Sequence, residues 1–215
     1  HPRVRRQRQM CIRDRVDMAK NNQAIVAING DYYSWKNNKG LVIRNGIVYR
    51  ESIDRRQDLC VLYSDGVIET YAPDEADIEQ IISRGAYQSW SFGPSLLDEN
   101  GQPKKEKSQF RSTVQEPNPR SALGYIESGH YVFVTVDGRG SGGSRGMRMW
   151  ELSQLMYDIG CTVAYNLDGG ATAVMANAED VISHQSNTKR KCSDILFIVE
   201  DYTVYDDEAS AVGED

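Results

Sequence analysis

Histidine is scarce in this chain of 215 residues, which has three, one of them the first residue. A histidine-rich zinc centre or a Ser-His-Asp triad would have to draw on His130 and His184, so neither class is favoured. Cysteine is nearly as sparse, at four. No CxxC spacing occurs, which removes the usual zinc-ribbon and thioredoxin-type motifs. Cys60 and Cys161 sit in apolar, strand-like runs and read as small buried hydrophobes, and a Cys161–Cys192 disulfide is left open. Long apolar runs are missing as well. The longest, such as 131–136, are strand-sized, well short of the ~20 residues a membrane helix needs. A basic excess is also absent, since 31 acidic residues face 25 basic ones for a net charge of −6. Nucleic acid is therefore not expected as a partner.

What is present suffices for one core. With 40% hydrophobic residues over 215 positions, one domain is the expected count. The first fifteen residues do not fit that domain. Residues 5–14 read RRQRQMCIRD, the direct translation of CGT CGG CAG CGT CAG ATG TGT ATA AGA GAC, a common transposon-based sequencing adapter. We read residues 1–15 as an assembly artefact. Removing its six arginines and one aspartate takes the formal net charge from −6 to −11. On this reading a native N-terminal part of the domain, and any export signal, would lie upstream. Residues 16–199 form the domain, and 200–215, with seven acidic and no basic residues, an acidic tail or linker.

Local patterns give the elements. Val16–Asn22 reads as the end of a helix and Ala24–Ile28 as a strand running into Asn29-Gly30-Asp31. Asn45-Gly46 between two apolar runs predicts a hairpin of Leu41–Arg44 with Ile47–Arg50. Ser64-Asp65-Gly66 predicts another, of Leu59–Tyr63 with Val67–Tyr71. Asp74 is expected to cap a helix over Asp74–Ser83. Residues 98–118 read as a long surface loop. Arg120–Ile126 and Tyr131–Val136 form a third hairpin. Met147–Ile159 has apolar residues at helical spacing and Gly160 as its stop. Thr162–Leu167 and Ala171–Met175 read as strands interrupted by Asp168-Gly169-Gly170, and Ile195–Val199 as the last strand. Many hairpins with few helices predict an α+β class: a single domain with a mixed β-sheet and flanking helices.

Four polar triplets stand at predicted strand ends: Asn29-Gly30-Asp31, Asn118-Pro119-Arg120, Asp137-Gly138-Arg139 and Asp168-Gly169-Gly170. Carboxylates there sit at the rim of a sheet, where pockets form, and glycine lets backbone approach a ligand. Arg120 and Arg139 offer planar forks for phosphate. Asp31, Asp137 and Asp168 can bind sugar hydroxyls, hold a hard cation such as calcium, or act as acid, base or nucleophile. The loop Gly138–Gly146 lacks the Walker pattern and reads as a flexible lid. Tyr32, Tyr33, Trp35 and Trp90 lie near strand ends, and Tyr33 and Trp35 are candidate sugar platforms.

Seven blocks in order carry a resemblance: AINGDYY (27–33), SFGPSLL (91–97), NPRSALGY (118–125), VDGRG (136–140), GMRMWEL (146–152), AYNLDGGATAVM (164–175) and SDILFI (193–198). Together they resemble the phosphodiester glycosidases, a family that includes bacterial exopolysaccharide-related proteins and the animal "uncovering enzyme". The resemblance implies hydrolysis of a sugar C1–oxygen bond in a phosphorylated glycan or other sugar-1-phosphodiester. It implies catalytic roles for Asp31, Arg120, Asp137 and Asp168. It implies substrate binding by Asn29, Arg139, Gly169, Gly170 and Thr172, and an extracytoplasmic location. Ala173 and Val174 stand where relatives often carry hydroxyls. Two other readings share these residues: a phosphodiesterase breaking P–O, and a non-catalytic glycan-binding module of the cell envelope.

Overall fold

The computed structural model describes residues 4–5, 15–32, 39–110, 115–184, 192 and 194–200. In chain order the elements are β1 (Val4–Arg5), α1 (Arg15–Asn21), β2 (Ala24–Asn29), β3 (Val42–Arg44), β4 (Ile47–Arg50), β5 (Leu59–Tyr63) and β6 (Ile68–Tyr71). There follow α2 (Ile78–Ser83), β7 (Ala86–Trp90), β8 (Arg120–Glu127), β9 (His130–Val136), α3 (Met149–Asp158), β10 (Val163–Leu167), β11 (Met175–Ala176) and β12 (Ile195–Val199). The candidate platforms Tyr33 and Trp35, most of residues 1–14 and the tail 201–215 lie outside the described residues. Among the described residues no helix is long and apolar enough to cross a membrane.

The strands form three sheets, in the orders β1-β12-β2-β11, β10-β8-β9 and β4-β3-β7-β5-β6. The α+β class holds, but one mixed sheet is replaced by three antiparallel ones. The reason is local. Tight turns join neighbouring strands, and parallel pairing needs long crossovers. At Asn45-Gly46 both residues have positive φ, 51° and 78°, as a two-residue hairpin requires.

The three sheets share one core. Ile28 and Leu196 come from the first, Leu123, Tyr165 and Leu167 from the second, and Cys60, Leu62, Ile68 and Trp90 from the third. Trp90 is therefore core, 2% exposed. The Tyr165 hydroxyl donates to the carbonyls of Asp58 (2.6 Å) and Trp90 (3.1 Å), tying the second sheet to the third. Each sheet carries a helix on its outer side. Met18 and Ala19 of α1 pack on the first. Met149, Leu152 and Met156 of α3 cover the second, and Ile81 of α2 covers the third. Cys161 and Cys192 are free thiols in two different clusters, so the structure does not pair them.

Three element boundaries differ from the sequence pattern. Helix α2 starts at Ile78, because Asp77 rather than Asp74 caps it, accepting from the Gln80 amide at 3.1 Å. Met147 stays out of α3 because its N–H and C=O pair with Asn118 (3.0 and 3.2 Å), and α3 begins after Arg148, whose amide donates to Glu151. The run Ala171–Met175 is not a strand. Gly170–Thr172 is a 3-10 turn closed by Ala173 N–H to Gly170 O (3.2 Å), and β11 begins only at Met175. Strand β7 has no counterpart in the pattern, since Gln88 and Ser89 in its middle are polar yet buried.

Candidate functional site

Strands β2, β8, β9 and β10 begin or end at one rim, and their turns interlock there. Asn29 closes β2 and is 1% exposed. Its amide donates to the Asp168 carbonyl (2.5 Å), and its oxygen accepts from the Ser121 hydroxyl (2.6 Å) and the Val174 amide (3.3 Å). One side chain thus fixes three segments. The next residue, Gly30, donates to Asp194 O (2.9 Å) and accepts from Asp168 N–H (3.2 Å).

Asp31 is 4% exposed, and its carboxylate accepts from the amides of Ser91 (2.9 Å) and Phe92 (3.0 Å). Its own amide donates to the buried carboxylate of Asp194 (3.0 Å), which also pairs with Arg44 at 3.4 Å. Asp31 is thus turned toward the 91–92 turn at the end of β7. Asp194 and Arg44 were not anticipated from sequence; the only hint is an acidic residue immediately before a strand.

Asp168 follows β10 and is half-buried. One carboxylate oxygen accepts from the Gly169 amide (2.9 Å), the other from the Thr172 hydroxyl (2.7 Å). The Asp168-Gly169-Gly170 turn is clipped to the Asn118-Pro119-Arg120 turn by Gly170 N–H to Pro119 O at 2.9 Å. Gly169 is needed at this crossing, because a Cβ there would stand 2.8 Å from that same carbonyl oxygen.

The two arginines occupy different depths. Arg120 is 4% exposed and donates to the carbonyls of Met147 (3.0 Å) and Glu116 (2.9 Å). Burial pushes its guanidinium down to about 10, and it stays cationic at neutral pH. Arg139 is exposed and donates to the Asn118 side chain at 3.0 Å. Its guanidinium lies 3.2 Å from where a Cβ on Gly170 would stand. Arg139 therefore borders the Asp168-Gly169-Gly170 turn directly, whereas the Arg120 guanidinium is buried against the Met147 and Glu116 carbonyls.

Asp137 ends the run of β9, and its carboxylate accepts from the backbone N–H of His184 at 3.2 Å. The loop that follows packs back onto the rim, with the Ser144 hydroxyl donating to Asp137 O (2.6 Å) and Gly146 at φ +90° against Asn118. Asn29, Asp137, Arg139, Asp168, Gly169, Gly170 and Thr172 thus share one contact network, with the Arg120 side chain buried on the Met147 carbonyl that pairs with Asn118. For the calcium expectation, no group of three or more His, Cys, Asp or Glu residues is gathered among the described residues. A shallow groove of about 440 Å³ lies on the outer side of α3, lined by Lys105, Trp150, Glu151, Gln154, Leu155 and Asp158. No rim residue lines it.

The profile of the phosphodiester glycosidase family matches residues 22–199. The chain is similar to the SPbeta prophage-derived uncharacterized protein YomE of Bacillus subtilis (strain 168), 32% identical over 167 residues, 75% of this chain and 25% of that one. It is similar to the N-acetylglucosamine-1-phosphodiester alpha-N-acetylglucosaminidase of Bos taurus, 29% identical over 83 residues, 39% of this chain and 15% of that one. The chain thus spans a quarter or less of the length of these relatives. Among solved structures, the auto-inhibited catalytic domain of the zebrafish enzyme of the same name superposes with a TM-score of 0.74. The identity is 22%, over 92% of this chain and 72% of that one. A hypothetical protein from Synechocystis superposes at 0.58 and 15% identity, over 92% and 56% of the two chains. These structures share the fold.

Proposed function

Because the chain belongs to the phosphodiester glycosidase family, we propose that it hydrolyses the C1–O bond of a sugar-1-phosphodiester, releasing free sugar and a phosphomonoester. The observation that most supports this reading is the exposed Arg139 guanidinium bordering the Asp168-Gly169-Gly170 turn. A cation bordering a turn that carries a carboxylate suits a substrate that is anionic at the leaving group and becomes cationic at the sugar carbon.

The roles follow from depth and bonding. Arg139 receives the phosphate, and the buried charge of Arg120 stabilises the departing phosphomonoester from behind. A phosphomonoester leaves more readily than a sugar alkoxide, so little protonation of the leaving oxygen is needed. The Asp168 carboxylate, oriented by Gly169 N–H and the Thr172 hydroxyl, stabilises the positive character at C1. Asn29 holds the Asp168 backbone, and Asp31 anchors the adjoining turn rather than touching substrate. Phosphorylated glycans of exopolysaccharide or envelope type are the substrate class, which makes an extracytoplasmic location part of the reading.

The test is hydrolysis of an N-acetylglucosamine α-1-phosphodiester in heavy-oxygen water, with and without chelator, beside Asp168→Asn. The expected result is free sugar carrying the label, with turnover reduced roughly 10²–10³-fold in the variant. Label in the phosphate would replace this reading with P–O cleavage. Tight binding of an anionic glycan with no release would replace it with a binding module. Loss of activity with chelator would add a cation to the site.

A further inference from the structure

The roles above leave the attacking water without a base. Asp168 is poorly placed for that task, since both its oxygens already accept hydrogen bonds, from the Gly169 amide and the Thr172 hydroxyl. Two titratable side chains that meet at the rim, Asp137 and His184, have no part in the mechanism so far. His184 follows a short return segment in which Val181 bridges Ala176 and the amides of Ile182 and Ser183 donate to Met175 O (2.8 and 3.3 Å). Beyond that pairing His184 packs against Asp137 and over Gly142, whose added Cβ would stand 3.2 Å from the His184 Cβ.

We infer that His184, oriented by Asp137, is the base that takes the proton from the attacking water. This rests on the glycosidase reading. Four observations support it. The imidazole Nδ1 lies 3.3 Å from Asp137 Oδ2, so the neutral ring that donates there carries its proton on Nδ1 and leaves Nε2 as an acceptor. The His184 backbone is fixed at the same place, its N–H donating to Asp137 and its carbonyl accepting from the Ser141 hydroxyl. The side chain is 77% exposed, and among the described residues its ring has no polar partner but Asp137. The other carboxylate oxygen, Asp137 Oδ1, is buried and accepts from nothing among the described residues.

The step balances as follows. The water oxygen forms a bond to C1 of the sugar. The C1–O bond to phosphate breaks, and its electron pair leaves on the phosphomonoester oxygen. One water proton passes to His184 Nε2, then to bulk solvent. Arg139, two residues beyond Asp137, holds the phosphate side.

The test uses the whole chain with a sugar α-1-phosphodiester and the variants His184→Ala and His184→Gln. Thermal melts establish that both fold. Both should lose roughly 10²–10⁴-fold in kcat with little change in KM. Added imidazole should restore part of the rate to His184→Ala, which leaves a space, and none to His184→Gln, which fills it. Full kcat in His184→Gln beside an active wild type overturns the inference and leaves the glycosidase reading standing. A loss confined to KM, or no rescue of folded His184→Ala, also overturns it. A wild type that releases no sugar from any phosphodiester removes both together.

Discussion

Two glycines in one loop should respond very differently to the same substitution. Gly146 and Gly143 both have positive φ, +90° and +75°. A Cβ on Gly143 would meet nothing within 4 Å, whereas one on Gly146 would lie 2.4 Å from Asn118 C, 2.5 Å from its O and 2.8 Å from its N. Those are backbone atoms and cannot rotate away. Restoring ordinary contact requires the two chains to part by roughly 1 Å. That breaks the pair of bonds between Asn118 and Met147, now 3.0 and 3.2 Å. A left-handed alanine costs about 1–2 kcal/mol, and each net hydrogen bond about 0.5–1.5 kcal/mol. Gly146→Ala should therefore lose about 3 kcal/mol, and Gly143→Ala about 1 kcal/mol. For a domain of this size the melting temperature should fall roughly 6–12 °C and 2–4 °C respectively. Differential scanning calorimetry reads both. Gly146→Ala should also lower sugar release out of proportion to its melting point, because Arg120 donates to the Met147 carbonyl that is displaced. Equal melting shifts in the two variants would refute the reasoning.

Asn29→Ala strips a partner from the Asp168 carbonyl, the Ser121 hydroxyl and the Val174 amide at once. We expect a loss of about 2–4 kcal/mol in denaturant unfolding and strongly reduced turnover. Asp77→Ala should cost about 1 kcal/mol of stability and Asp74→Ala under about 0.5 kcal/mol, since Asp77 makes the cap. Burial pushes the Cys161 thiol from 9.0 up to about 11. Its folded value is raised, so its contribution to stability is present below pH 9 and is lost as pH rises toward 11. Unfolding free energy measured from pH 8 to pH 11 should fall less steeply in Cys161→Ala than in the wild type.

How far the sequence could be read depended on whether a residue's neighbours in space were also its neighbours in the chain. Asn45-Gly46 forces a hairpin by backbone geometry alone, and the structure has it. The Asp168-Gly169-Gly170 turn at a strand end was visible for the same reason. Its continuation was not, because the Thr172 hydroxyl bonds back to Asp168 and Gly169 O, curling what looks like a strand. Strand β7 hid behind Gln88 and Ser89, whose polar side chains find partners in Ile43 of β3 and its flanking residues Leu41 and Asn45. Arg120 and Arg139 look equivalent in sequence. Their different depths follow from the pairing of Asn118 with Met147, twenty-nine positions away. His184 carries no local signal, and its place is set by Asp137, forty-seven positions back.

The first sheet has a consequence for how the domain is made. Its strand β2 stands between β12 and β11, so a strand near the start is completed by strands near the end. Asp194, immediately before β12, also receives the amide of Asp31 and holds Gly30. A ribosome therefore delivers the third sheet and the β8–β9 hairpin well before either partner of β2 emerges, and β12 last of all. The rim turn Asn29-Gly30-Asp31 must wait, unsupported, for almost the whole domain to be synthesised. Pairings of such large sequence separation are entropically late and slow. Polypeptides released before β12 would carry two assembled sheets, an apolar open edge on β2 and no working rim, a combination that quality-control proteases and chaperones recognise.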